Sequence, residues 1–149
     1  MRKFYVRSNQ KGFTLIELMV VVAILGLLAT IAGSKIMDAL EQSKWKAAGL
    51  QISSFESPLK QYKIDNGVYP TTEQGLDALM KKTEVGDIPQ HWRQYMDRIP
   101  KDPWKRDYIY ISPGEHNDEY DLESYGKDGE DGGEGWAADI ESWNLGEGD

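Results

Sequence analysis

The sequence predicts an α+β fold: one long N-terminal helix, its first half apolar enough for a membrane, packed on a small antiparallel sheet. Three observations predict it. From Phe13 to Gly33 there is one charge, Glu17. Beyond that run, apolar residues recur at helical spacing as far as Tyr62. The rest is turn-rich, with two short runs of aromatic and β-branched residues and then a glycine- and acid-rich terminus.

The chain opens basic. Arg2, Lys3, Arg7 and Lys11 precede the apolar run, with no acid among them. The run itself matches the ~20 residues, at ~1.5 Å rise each, that a helix needs to cross a bilayer core. A positive flank keeps the N-terminal side of such a helix in the cytoplasm. Glu17 is the anomaly. A carboxylate at the centre of a membrane helix costs roughly 2.5–3.5 kcal/mol on insertion scales, and less toward the end. It asks for a partner. A plain signal anchor is one reading. In a cleaved secretory signal the small-residue cut site follows the apolar stretch, whereas here Gly12 precedes it.

Lys11-Gly12-Phe13-Thr14-Leu15-Ile16-Glu17 resembles the processing site of the type IV pilin and pseudopilin superfamily. The resemblance implies a pilin-like fold, with cleavage by a prepilin peptidase between Gly12 and Phe13 and methylation of the new Phe13 amine. It implies that Glu17, fifth in the mature chain, pairs with the N-terminal amine of a neighbouring subunit in a helical filament. An amine exposed by cleavage is a cation at the depth of Glu17, so the pairing removes two unsatisfied charges on assembly. The chain then divides into a basic leader, 1–12, a transmembrane half-helix, 13–34, and a globular domain, 35–149, which includes an amphipathic helix over 35–65.

Trp45, Ala48, Ile52, Phe55, Leu59 and Tyr62 are spaced 3, 4, 3, 4, 3, one apolar stripe along a helix. Lys44, Lys46, Gln51, Ser54, Lys60 and Lys63 fill the other face. Many superfamily members carry Pro at the position of Ser34; here Gly33-Ser34 are merely poor helix residues. Pro58 lacks the N–H that would bond the Ser54 carbonyl, so a kink is expected near Ser54–Pro58.

Asp65-Asn66-Gly67 ends the helix by turn chemistry. Thr71 or Thr72 can cap a short helix that buries Leu76, Leu79 and Met80. The stretch from Asn66 to Leu79 is similar to the segment after the long helix in the major pseudopilins of type II secretion systems. Thr83 to Arg98 reads as a polar loop. His91 and His116 have no metal-ligand spacing and read as ordinary loop residues. Asp102-Pro103-Trp104 also resembles that family, which usually places Gly-Asn-Pro next. Lys105-Arg106-Asp107 stands there instead, so the turn into the strand is where this chain can differ. Tyr108–Ile111 and Tyr120–Ser124 read as antiparallel strands.

The chain has 149 residues, a net charge of −8 and no cysteine. No disulfide supports the globular part. From Gly114 onward Lys127 is the sole Lys or Arg. Nucleic-acid binding wants a basic footprint, and none is present. Within the acidic terminus, Ser124-Tyr125-Gly126-Lys127-Asp128-Gly129-Glu130-Asp131-Gly132-Gly133 leads to Ala138-Asp139-Ile140. Calcium takes six to eight oxygen ligands, carboxylates and carbonyls. A glycine-rich loop can turn its carbonyls inward, with Asp128 and Asp139 closing it from either end. Set against an EF-hand loop starting at Asp128, Gly133 falls sixth and Asp139 twelfth, but Gly132 leaves the fifth place without a side chain and no helical pattern flanks it. The loop resembles the C-terminal calcium loop of the major pseudopilins. That resemblance implies Asp128 and Asp139 as side-chain ligands, backbone carbonyls from Tyr125 and Glu130, and Ser142 as a further candidate. A flexible acidic tail is the alternative.

The function implied is a non-enzymatic, calcium-binding major subunit of the type II secretion pseudopilus. It would sit in the bacterial inner membrane by a single pass, with its globular domain in the periplasm. It would assemble with copies of itself, minor pseudopilins and the inner-membrane platform. Alternatives are a type IV pilin or minor pseudopilin, and a membrane-anchored calcium-dependent hydrolase. The last lacks Gly-x-Ser-x-Gly, His-Glu-x-x-His and cysteine.

Overall fold

A computed structural model describes residues 12–145; the leader through Lys11 and the tail beyond Leu145 lie outside the described residues. The chain forms two compact units, Met1–Ala39 and Leu40–Asp149. Helix α1, Leu15–Asn66, contributes to both. In the first unit it presents Leu18, Val22, Leu25 and Leu28 outward, all more than half exposed. Among the described residues α1 is the one helix long and apolar enough to cross a membrane. The helix is continuous through Gly33 and through Pro58, across the position of the expected kink.

The second unit is built on the predicted stripe. Ala48, Ile52, Phe55, Leu59 and Tyr62 are all at most 3 % exposed, and Trp45 packs partly buried against them. They meet Leu79, Tyr108, Tyr110, Leu122 and Ile140 in one core. Each fully buried Leu or Phe contributes about 1.5–3 kcal/mol, so the stripe is what fixes α1 to the rest of this unit. The Phe55 and Tyr108 rings meet edge to face at 5.5 Å. Gly67, in the left-handed conformation at φ 84°, donates to the Lys63 carbonyl at 2.7 Å and stops the helix.

The segment after α1 is held by reciprocal bonds. Thr71 N–H donates to Gln74 Oε1 at 3.0 Å, and Gln74 N–H to Thr71 Oγ1 at 3.3 Å. Thr71 therefore caps the turn before the short helix. That helix is a 3-10 turn, Leu76–Leu79, which buries Leu76, Ala78 and Leu79; Met80, expected inside, is half-buried because the tighter 3-10 spacing turns Ala78 inward instead. The loop after it contains no regular element but is anchored in the core. Trp92 Nε1 donates to the Ala78 carbonyl at 2.7 Å, and Tyr95 and Met96 N–H both donate to the Leu79 carbonyl, at 2.9 and 3.0 Å.

The sheet has three antiparallel strands in the order β1 (Ile109–Ile111), β2 (Asp121–Ser124), β3 (Ile140–Glu141). The two predicted strands are present, each one residue shorter at its start. The sequence reading did not include β3, whose two residues are too few to alternate. Tyr110 pairs with Leu122, and Glu123 with Glu141. Between β1 and β2, buried Asp121 accepts the N–H groups of Glu115, His116 and Asn117 at 2.7, 2.8 and 2.9 Å. His116 is more than the expected bystander: its ring stacks on Trp143 at 4.1 Å and 9°, and its Nδ1 lies 3.2 Å from Asp121.

Candidate functional site

Two places carry the residues singled out in the sequence. At the first, Gly12 and Phe13 precede α1 and are exposed. The space around Gly12 is open. Glu17 lies in the first turn of α1. Its Oε2 accepts the Thr14 N–H at 2.8 Å and the Thr14 hydroxyl at 2.9 Å, while Glu17 N–H donates to Thr14 Oγ1 at 3.3 Å. This is a capping box, in which a Thr and a Glu three residues apart satisfy each other's backbone donors. The pattern Thr14-x-x-Glu17 signals it, whereas the resemblance looks for the partner of Glu17 in a neighbouring subunit and not in Thr14.

The second place is the loop from Tyr125 to Asp139 and the strand ends beside it. Asp139 Oδ2 accepts the Gly132 N–H at 2.7 Å, drawing the two sides of the loop together. Its Oδ1 is buried without a hydrogen-bond partner. Glu123 on β2 and Glu141 on β3 are direct cross-strand partners. Like charges directly opposite destabilise a sheet. Asp139 joins them, so that one carboxylate oxygen from each of the three lies within 4.8 Å of the others. Burial first, and then Asp139, Asp131 and Glu141, push the Glu123 carboxyl above its usual range. Burial likewise raises Asp139, opposed by the Gly132 N–H and reinforced by Asp131, Glu141 and Asp128. Three close carboxylates, one with an orphaned buried oxygen, offer a hard cation the oxygen donors it prefers.

The sequence-predicted ligands are not all drawn together here. Asp139 belongs to the trio and Asp128 lies outside it, exposed, its Oδ1 accepting the Glu130 N–H at 3.2 Å. The Tyr125 carbonyl accepts the Gly129 N–H at 2.9 Å inside the loop. Glu130 is exposed. Ser142 continues the sheet: its N–H donates to the Leu122 carbonyl at 2.9 Å, and its Oγ accepts the Leu122 N–H at 3.1 Å. Gly126 is required by contact, since a Cβ there would lie 2.7 Å from the Ala138 carbonyl. Glu123 and Glu141 were missed in the sequence because their proximity depends on the β2–β3 register.

Comparison with known proteins matches most of the chain to one family. The family model described as type II secretion system (T2SS), protein G, matches residues 35–143. The chain belongs to the type II secretion system protein G family. A second model, the prokaryotic N-terminal methylation motif, matches residues 7–33. Relatives named type II secretion system core protein G include one from Vibrio cholerae, 46% identical over 92% of this chain and 94% of that protein. Another, from Pseudomonas aeruginosa, is 43% identical over 93% and 98%. The crystal structure of the major pseudopilin from the type 2 secretion system of enterohaemorrhagic Escherichia coli aligns with a TM-score of 0.66 at 38% identity, covering 76% of this chain and 93% of that one. Members of the family are structural pseudopilins, and the long helix with its three-stranded sheet is the architecture of that relative.

Proposed function

We propose that this chain is the major structural subunit of a type II secretion pseudopilus, without enzymatic activity. In this reading a prepilin peptidase removes residues 1–12, Phe13 is methylated, and 13–34 holds the subunit in the inner membrane. The domain 35–149 then lies in the periplasm. Copies polymerise with minor pseudopilins on an inner-membrane platform and drive folded proteins across the outer membrane. The observation that carries the reading is the junction of a methylation-motif start with a protein G domain in one chain. Glu17 pairs with the Phe13 amine of the next subunit. N-terminal sequencing and mass spectrometry of protein from inner membranes test it: methylated Phe13 is expected at the start. A chain that still begins at Met1 in normal filaments refutes the reading. Glu17→Ala is expected to be inserted and processed but to assemble poorly; normal filaments from that variant remove the role of Glu17.

Calcium is the cation proposed for the C-terminal loop. Asp139 and Asp128 would hold it, with the Tyr125 and Glu130 carbonyls. Glu123 and Glu141 would supply the negative field from the sheet; Ser142, already bonded to β2, is the least available donor. The orphaned Asp139 Oδ1 supports the fit, and the carboxylates of Glu123 and Glu141 gather beside Asp139, the one proposed ligand that belongs to their cluster. Calcium, when bound, neutralises carboxylates that otherwise repel. A ligand at 100 times its Kd stabilises by about 2.7 kcal/mol. The full chain in detergent should therefore melt several degrees higher in calcium than in chelator. Equal melts, with Asp128→Ala and Asp139→Asn also silent, remove the site.

A further inference from the structure

We infer that Arg106 is a positioning residue for the calcium loop, holding its first half in the form that receives the ion; this rests on the calcium reading above. The guanidinium spans two consecutive carbonyls of the loop: Nη1 donates to Gly126 at 2.7 Å and Nη2 to Lys127 at 3.0 Å. These two carbonyls lie between those of Tyr125 and Glu130, so Arg106 grips the stretch that separates the two proposed backbone donors. The loop is shaped to receive the side chain. A Cβ on Gly129 would lie 2.4 Å from Arg106 Cζ, so only glycine leaves room for the guanidinium there.

Arg106 is itself fixed from below. Its N–H donates to Oδ1 of buried Asp102 at 2.8 Å, and its carbonyl accepts the Asp102 N–H at 2.8 Å. The other Asp102 oxygen accepts the buried Ser124 hydroxyl at 2.8 Å. Ser124 is the last residue of β2, immediately before Tyr125. One buried carboxylate thus sets both the root of Arg106 and the entry to the loop. A rigid planar fork is pre-organised to satisfy two acceptors at once, whereas an ammonium on a flexible stem loses more freedom in doing so. The arrangement holds the Gly126–Gly129 turn closed before any ion arrives, which lowers the ordering that binding requires.

The test is calorimetric titration of the full chain in detergent with calcium chloride, for the parent, Arg106→Lys and Arg106→Gln. A parallel measurement is amide hydrogen exchange of residues 126–132 without calcium. Both variants are expected to bind calcium about tenfold more weakly, the scale of one charge-assisted hydrogen bond. Exchange over 126–132 should quicken while exchange in the α1 stripe stays unchanged. If Arg106→Lys binds like the parent, or Arg106→Gln binds more tightly, the residue acts only as a charge and the inference is overturned. A parent chain that binds no calcium overturns the calcium reading itself, and this inference with it.

Discussion

Lys105 occupies a backbone conformation that a lysine resists. Its φ is 72°, and it is the sole described residue other than glycine with positive φ. For an L-residue with a Cβ the left-handed region costs roughly 1–2 kcal/mol. Glycine there would remove that cost but bring a more flexible unfolded chain, worth roughly 0.4–1 kcal/mol the other way. Lys105→Gly should therefore stabilise the folded chain by about 0.5–1 kcal/mol. Little else is lost: the side chain is exposed, and the N–H bond to the Asp102 carbonyl at 2.9 Å is made by backbone alone. For a chain of this size the gain corresponds to about 1–4 °C in Tm. Tryptophan-monitored thermal melts of the full chain in detergent measure it. Lys105→Ala is the control, because alanine keeps the Cβ and should leave Tm near the parent value. An unchanged or lowered Tm for Lys105→Gly, or an equal gain for Lys105→Ala, refutes the strain argument.

Asp102→Ala removes the acceptor for Trp104 N–H, Arg106 N–H and the Ser124 hydroxyl. The buried donors left behind should cost about 2–4 kcal/mol in denaturant titration. Pro58→Ala restores the helix rung that proline cannot make and should stabilise by about 1–3 kcal/mol, read in the same titration. Glu41 is buried, and the Trp104 ring N–H donates to it at 3.0 Å. That bond, opposed by burial and helped by Lys44, holds the carboxyl below its usual range. Its stabilising effect is present above the ordinary carboxylate range and is lost as pH falls through the lower folded value. Trp104→Phe should accordingly lose less stability between neutral pH and acid than the parent does, measured by denaturant titration across pH.

What was legible in the sequence was local. The spacing of Ala48, Ile52, Phe55, Leu59 and Tyr62 identifies the buried face of α1 with no tertiary information, because one helix period places them all on one side. Asn66-Gly67 announces its own turn. The features that escaped join distant residues. Glu123 and Glu141 become neighbours only through the β2–β3 register, and β3 is two residues long. His116 finds Trp143 across the same sheet end. The loop over 83–98 reads as polar, yet Trp92 and Tyr95 anchor it to carbonyls at the 3-10 turn. Lys105 stands where the resemblance implies a glycine. The structure shows that the turn keeps a glycine-like conformation and places strain on the lysine instead.

The capping box at the start of α1 changes what Glu17 brings to any encounter. Its carboxylate already holds the amide and hydroxyl of Thr14, so the acid of a solitary chain is not a naked anion. Whatever newcomer approaches that acid must outcompete an incumbent a single turn away. The strength of the new contact is then a difference between two bonded states, sensitive to the identity of residue 14 as much as to the acid itself.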